Sequence, residues 1–227
     1  MNKYQLVVCD MAGTTINDRD EVYRVLRAAT EREGARLSDA QFQEHMGTEK
    51  RDAITQLLRI GGIEPTQELV GQAFAWFTAE LRRTYQQTPP EPLEGVAPAL
   101  RRLRGAGVTV ALTTGFSREI TDIILAGLGW EPGAPDSVID ISVAGDEVAH
   151  GRPAPDMIER AMSIAGITDP SEVLSCGDTQ ADVRSAQRAG VTAVGVLTGH
   201  LSREDFAALD TAVVLESAAD LPELVIG

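Results

Sequence analysis

The chain has 227 residues, of which 43% are hydrophobic and 24% charged, a composition typical of globular proteins with a sizeable core. Its 20 basic and 34 acidic side chains give a formal net charge of −14 at pH 7, which argues against nucleic acid and anionic membranes as partners. No apolar stretch approaches the ~20 residues of a transmembrane helix, and no signal peptide precedes the first strand-like run. We therefore expect a cytoplasmic protein.

The basic residues are unevenly divided between arginine and lysine. Eighteen are arginines, and Lys3 and Lys50 are the only lysines. Lys50 is therefore a candidate for a role that arginine cannot fill. The two cysteines, Cys9 and Cys176, lie in apolar, strand-like runs and are expected to be small buried residues without a disulfide or metal role.

The first predicted element is a buried strand at residues 6–9, and a helical segment follows it. Apolar residues recur there at helical spacing, at positions 22 and 26, at 54, 57 and 58, and at 74, 77 and 81. The segment contains no convincing strand and ends in the proline-rich stretch QQTPPEPLEG. We expect residues 16–92 to form a helical cap, and residues 1–15 and 93–227 to form the core.

The remaining elements alternate between helices and short apolar strands, which is typical of a parallel sheet. Helices are predicted at 96–104, 156–165 and about 182–189, and each ends at a glycine. Strands are predicted at 108–112, 138–143, 173–176, 192–196 and 212–215. The predicted fold is α/β, with a Rossmann-like parallel-sheet core and an inserted all-helical cap. Such sheets bind ligands at the carboxyl ends of their strands, where the cap would exclude water.

Two candidate loops follow the strands at residues 6–9 and 108–112. Asp10 opens DMAGTT, where a carboxylate can ligate Mg²⁺ or attack phosphorus. Thr114 and Gly115 end the second strand, where a hydroxyl and exposed amides suit a phosphate oxygen. Taken singly, the two loops are also consistent with an ordinary turn and an ordinary helix start.

Two further loops carry charged residues. Arg152 stands between a glycine and a proline, a rigid mount that suits a guanidinium facing an anion. Asp178 and Asp182 are four residues apart, so we expect them to share one helix face and to hold Mg²⁺. The alternatives are a solvated arginine and a helix cap formed by Asp178. The order of the four loops, each at a strand end, is more specific than any one of them.

This order resembles the haloacid dehalogenase superfamily of aspartate-nucleophile phosphotransferases over essentially the whole chain. The resemblance implies Mg²⁺ as the cofactor, a small phosphate or phosphonate anion as the substrate, and a homodimer formed through the cap. It implies that Asp10 is the nucleophile, that Thr114, Gly115 and Arg152 bind the phosphoryl group, and that Asp10, the Ala12 carbonyl and Asp178 hold Mg²⁺ with Asp182 in support.

Ala12 narrows the resemblance, because most phosphatases of the superfamily carry aspartate at that position. Alanine there resembles the phosphonatase, or phosphonoacetaldehyde hydrolase, branch, as do the stretches DMAGTT, TTGFSRE, GRPAPDM and MGTEK. In that branch the last stretch supplies a Schiff-base lysine, which would be Lys50. Cleaving carbon from phosphorus expels a carbanion, and a lysine iminium accepts its electrons, whereas an arginine stays protonated. Lys50 is also predicted in the first turn of a helix that runs to Gly61, where the helix dipole favours the neutral amine.

Three positions depart from that branch. Asp20 stands in place of a cap-side cysteine, Ala53 in place of a histidine, and Phe116 in place of a tyrosine. In that branch these positions shape the aldehyde pocket. We therefore describe the chain as a phosphonatase-like hydrolase, which is expected to cleave the carbon–phosphorus bond of a phosphonoacetaldehyde-like 2-oxoalkylphosphonate through a Lys50 Schiff base and an Asp10 aspartyl phosphate. Two alternatives remain at this point, a phosphomonoesterase that works without the second aspartate and a catalytically weak, phosphate-binding regulator.

Overall fold

A computed structural model describes residues 2–227, and its main sheet has six strands. The strands of the chain are β1 (Leu6–Asp10), β2 (Ile16–Asn17), β3 (Glu91–Pro92), β4 (Thr109–Thr114), β5 (Ile141–Ala144), β6 (Val173–Gly177), β7 (Thr192–Val196) and β8 (Val213–Leu215). The main sheet runs β5-β4-β1-β6-β7-β8, and every neighbouring pair is parallel. The predicted α/β fold with a Rossmann-like parallel sheet is confirmed.

Ten helices surround the sheet or follow its first strand. They are α1 (Glu21–Glu31), α2 (Asp39–Gln43), α3 (Lys50–Ile60), α4 (Gln67–Gln87), α5 (Val96–Gly105), α6 (Arg118–Leu128), α7 (Asp156–Ala165), α8 (Gln180–Ala189), α9 (Arg203–Ala208) and α10 (Leu221–Val225). We refer to α1–α4, which lie between β2 and β3 in the chain, as the cap helices. Their shared core includes Leu26, Leu57 and Leu81, all fully buried.

Strand β1 is apolar along its length because both of its faces are covered. Alternate side chains of a strand point to opposite faces. Leu6 and Val8 accordingly pack into one hydrophobic cluster, whereas Val7 and Cys9 pack into the other. The chain moves from β1 to β4 on one side and later to β6 on the other, so the carboxyl end of β1 lies where the strand order reverses. This is the position at which open α/β sheets bind their ligands.

Two sequence predictions about strands were wrong. The segment after β1 was expected to contain no strand, but β2 pairs with β3 in a small antiparallel sheet. The strand predicted at 138–143 begins at Ile141, because Val138 and Ile139 are buried in a loop and make no ladder. An apolar run indicates burial, and burial does not require strand hydrogen bonds.

The paired strands β2 and β3 are the two connections of the cap helices to the rest of the chain. Ile16 pairs with Pro92, and Asn17 pairs with Glu91. The boundaries at 15/16 and 92/93 remain predictions of where the cap begins and ends. Within residues 2–227, no helix combines the length and the apolar character that crossing a bilayer requires.

Candidate active site

Asp10 lies at the carboxyl end of the central strand and contacts a buried arginine. A nitrogen of Arg152, Nη2, donates to Asp10 Oδ1 over 2.5 Å. The other terminal nitrogen of Arg152 donates to Asp182, and among residues 2–227 the Nε atom of Arg152 has no hydrogen-bond partner. All three side chains are buried. The structure thus brings together three of the predicted residues from β1, from the loop before α7 and from α8.

Asp178 completes a cluster of three buried carboxylates with Asp10 and Asp182. One oxygen of each lies within 4.8 Å of the others. Burial and the nearby Asp10 charge raise the pKa of Asp178 to about 7, although Thr14 donates a 2.8 Å hydrogen bond to it. Oxygen donors that repel one another in a buried place fit a hard divalent cation such as Mg²⁺.

The backbone of the first loop is compatible with the same ion. The hydrogen bonds of this loop use the carbonyls of Asp10, Met11 and Gly13, and none of those formed by residues 2–227 uses the carbonyl of Ala12. Gly13 has a φ of 86°, and a Cβ atom there would lie 2.8 Å from the Asp178 carboxyl carbon. Glycine therefore permits the close approach of the two loops.

Asp178 and Asp182 come together in a way that differs from the prediction. They were expected to share one helix face, with Asp178 as the alternative helix cap. Thr179 is the N-cap of α8 instead, and its backbone nitrogen donates a 3.0 Å hydrogen bond to Asp182. Asp178 therefore precedes the helix, and the turn through Thr179 brings the two carboxylates together. Because one oxygen of Asp182 serves this cap and the other accepts from Arg152, Asp182 is suited to a supporting role.

Thr114 and Gly115 lie at the carboxyl end of β4, next to β1. Thr114 is buried, and its Oγ1 atom accepts a 3.2 Å hydrogen bond from the Phe116 backbone. A Cβ atom on Gly115 would lie 2.6 Å from the Thr48 carbonyl and 3.2 Å from Lys50 Nζ. This glycine therefore allows the cap residues at 48–50 to approach the strand end.

Lys50 is the first residue of α3, and its side chain is only 4% exposed. Its Nζ atom donates to the Thr48 carbonyl over 2.9 Å and lies 5.9 Å from the ring centres of both Tyr23 and Phe116. Burial and the Arg152 charge lower the pKa of Lys50 to about 8. The sequence predicted a lowered pKa for Lys50. The predicted cause was the helix dipole, whereas the largest cause is burial.

The three positions at which the sequence differs from the phosphonatase branch lie in different surroundings. Asp20 is exposed and accepts a hydrogen bond across 3.0 Å from His200 Nε2 when that nitrogen is protonated. Ala53 and Phe116 are buried in the cap and beside Lys50, respectively. The sequence did not predict that Tyr23 lies near Lys50, because an aromatic residue in an amphipathic helix is normally a core residue. It also passed over Thr14, although DMAGTT contains it.

Residues 4–190 match the family model of haloacid dehalogenase-like hydrolases. The chain belongs to this family. It is 31% identical over 215 residues to a phosphonoacetaldehyde hydrolase of Latilactobacillus sakei, with 87% of this chain and 77% of that protein covered. It is 28% identical over 239 residues to a phosphonoacetaldehyde hydrolase of Bacteroides fragilis, with 98% and 89% covered.

A solved structure supports the fold of this haloacid dehalogenase-like hydrolase. The crystal structure of a phosphonoacetaldehyde hydrolase-like protein from Oleispira antarctica superposes with a TM-score of 0.81 at 23% sequence identity. The match covers 98% of this chain and 91% of the other. At this identity the likeness concerns the fold, and the chemistry must be argued from the residues of this chain.

Proposed function

We propose that this hydrolase cleaves the carbon–phosphorus bond of a 2-oxoalkylphosphonate, with phosphonoacetaldehyde as the first substrate to test. The observation that carries the proposal is the buried amine of Lys50 at the cap–core contact, with a pKa of about 8. An amine of this kind is partly neutral at physiological pH and can add to a carbonyl group. Position 12 is alanine and supplies no carboxylate. This agrees with a reaction that breaks a bond between phosphorus and carbon, because there is then no leaving oxygen for an acid to protonate.

The proposed reaction begins at Lys50. Its amine adds to the carbonyl carbon of the substrate, and loss of water leaves an iminium. The hydroxyl of Thr114, the amide of Gly115 and the guanidinium of Arg152 bind the phosphonyl oxygens. Arg152 contacts Asp10, so it lies next to the position of the incoming anion.

Asp10 is the proposed nucleophile at phosphorus. As its oxygen bonds to phosphorus, the carbon–phosphorus electrons move into the iminium and produce an enamine on Lys50. Water then hydrolyses the aspartyl phosphate and releases inorganic phosphate. Mg²⁺ held by Asp10, the Ala12 carbonyl and Asp178, with Asp182 in support, would offset the repulsion between the Asp10 carboxylate and the phosphonate.

The names of the relatives agree with this proposal. Two proteins that match most of this chain are called phosphonoacetaldehyde hydrolases. Asp20, Ala53 and Phe116 change the pocket around the carbonyl, so the substituents of the natural substrate are expected to differ from those of phosphonoacetaldehyde.

Borohydride trapping tests the proposal directly, because the chain has two lysines. Phosphonoacetaldehyde and borohydride should attach a reduced adduct to Lys50, located by peptide mass spectrometry, in the presence of Mg²⁺. Lys50→Arg should lose the adduct and at least ~10³-fold of turnover, because a guanidinium forms no iminium. The matched control Lys3→Arg should keep both. Normal turnover by Lys50→Arg would refute the imine mechanism.

A further inference from the structure

The carbon that leaves phosphorus must gain a proton, and the proposed function does not yet supply one. The enamine has its electron pair at that carbon, and protonation there returns it to an iminium that water can hydrolyse. Ala12, Ala53 and Phe116 have no exchangeable side-chain proton, and Asp20 is turned to His200 at the surface. The proton must therefore come from another group near Lys50.

Tyr23 is a phenol beside the reacting amine. It lies on α1, is 9% exposed, and its ring centre is 5.9 Å from Lys50 Nζ. The reacting carbon is two bonds from the Lys50 nitrogen, a separation of about 2.5 Å from ordinary bond lengths. A substrate carbon attached to Lys50 therefore lies in the neighbourhood of the Tyr23 ring.

The hydroxyl of Tyr23 is available for such a role. Tyr85 is also buried, but its hydroxyl donates to Asp18 over 2.9 Å. Among residues 2–227, no hydrogen bond engages the hydroxyl of Tyr23. Its ring is instead held from two sides by edge-to-face contacts with Phe42 at 6.4 Å and His200 at 6.2 Å. The ring is held in place, and its hydroxyl has no partner in the part of the chain that the structure describes.

A polar cavity borders both Tyr23 and Asp178, one of the proposed Mg²⁺ ligands. Its volume is about 280 Å³, and it is lined by Asp18, Asp20, Tyr23, Asp178 and His200 among others. Burial and the negative charges of Asp178 and Asp10 raise the pKa of Tyr23 well above its ordinary value. The phenol is therefore fully protonated before the reaction.

We propose that the Tyr23 hydroxyl donates the proton that the departing carbon takes up after the carbon–phosphorus bond breaks. This inference rests on the proposed imine function. The carbon–phosphorus bond breaks as Asp10 bonds to phosphorus, and the electron pair becomes part of the enamine. The enamine carbon then takes the Tyr23 proton, and the iminium re-forms. Water then hydrolyses the iminium and frees Lys50, and the proton released in this step returns the Tyr23 phenolate to the phenol.

The variant Tyr23→Phe tests this assignment with phosphonoacetaldehyde, Mg²⁺ and borohydride. Turnover should fall by at least ~100-fold, the scale of a lost general acid, whereas the borohydride adduct on Lys50 should form as in the unmodified protein. Hydrolysis of p-nitrophenyl phosphate should change by less than about threefold, because its phenolate departs without a proton. The control Tyr85→Phe, which also removes a buried phenol, should keep phosphonate turnover within about fivefold.

Three results would overturn the assignment. Unchanged phosphonate turnover by Tyr23→Phe would show that another group supplies the proton. Loss of the Lys50 adduct together with turnover, or an equal loss with p-nitrophenyl phosphate, would show that Tyr23 only supports the structure of the site. If the unmodified protein itself gives no Lys50 adduct and no phosphonate turnover, the proposed function fails, and this inference fails with it.

Discussion

The protonation state of the Lys50 amine decides how fast the proposed imine can form. Because burial and Arg152 lower its pKa to about 8, about a tenth of the molecules carry the neutral amine at pH 7. The neutral form is the nucleophile, so the rate of adduct formation should rise about tenfold from pH 6 to pH 7 and level off above about pH 8. Cyanoborohydride trapping followed by mass spectrometry measures this rate.

Lys3 is an internal control for the same experiment. Labelling of Lys3, which is exposed, shows how the reagents themselves respond to pH outside the site. A labelling rate for Lys50 that follows the profile of Lys3 would contradict a lowered pKa at the site.

The side chain at position 12 separates the two enzymatic interpretations. Ala12→Asp adds a carboxylate two residues after Asp10, next to three buried carboxylates. For the proposed imine enzyme, the added charge should lower phosphonoacetaldehyde turnover about tenfold or more, because it repels the substrate and helps no oxygen leaving group. A phosphomonoesterase should instead gain rate from the new acid.

The measurement is kcat/KM for phosphonoacetaldehyde and for a panel of small phosphate esters. Ala12→Asn is the matched control, since it adds similar volume without the charge. Faster turnover of phosphate esters by Ala12→Asp, with no phosphonate activity in either protein, would favour the phosphomonoesterase.

Among the elements, the connection between β2 and α1 has a buried carboxylate that joins two cap helices. Asp18 Oδ2 accepts a 3.0 Å hydrogen bond from the Val22 backbone and a 2.9 Å bond from the Tyr85 hydroxyl on α4. Asp18→Ala leaves two buried donors unsatisfied, at a cost of roughly 1–3 kcal/mol each. We expect the free energy of unfolding in urea to fall by about 2–4 kcal/mol.

Asp39→Ala is the control for this loss. The Asp39 side chain is 99% exposed and pairs with Arg27 over 2.8 Å. Such a surface pair contributes less than about 1 kcal/mol. Equal losses in the two variants would contradict a structural role for the buried hydrogen bonds of Asp18.

The sequence predicted those strands and helices whose local residue pattern reflects their burial or their ends. Strands β1 and β7 are apolar because they are buried, and α5, α7 and α8 end at or next to a glycine. It could not predict β2 and β3, because two-residue strands have no periodicity and form only through each other. It also misplaced the start of α8, since the decisive feature is the hydrogen bonding between Thr179 and Asp182.

At the scale of the whole molecule, the topology accounts for much of the candidate site. Parallel strands bring their carboxyl ends to one edge, so Asp10, Thr114 and Asp178 were expected to be neighbours. The contact of the cap helices with this edge depends on the packing of distant segments, and no local pattern encodes it. Tyr23 illustrates the limit, because its helical position gives no sign of its approach to Lys50.

That contact between cap and core depends on glycine at position 151. A Cβ atom there would overlap the Glu49 Cβ and lie 3.2 Å from its Cγ. Glu49 is the N-cap of α3 and accepts from the Arg51 and Asp52 backbone nitrogens over 2.9 and 2.8 Å. Because Lys50 is the next residue, a displaced Glu49 must displace the reacting amine as well.

We therefore expect Gly151→Ala to slow borohydride labelling of Lys50 by about tenfold or more, because even small misplacement of a reacting group is costly. The core should stay folded, with thermal unfolding close to that of the unmodified protein. Gly127→Ala is the control, because a Cβ atom there meets nothing within 4 Å among residues 2–227 and α6 should gain about 0.5–1 kcal/mol in stability. Unchanged labelling by Gly151→Ala would show that the amine reaches the substrate without close contact between the cap and this loop.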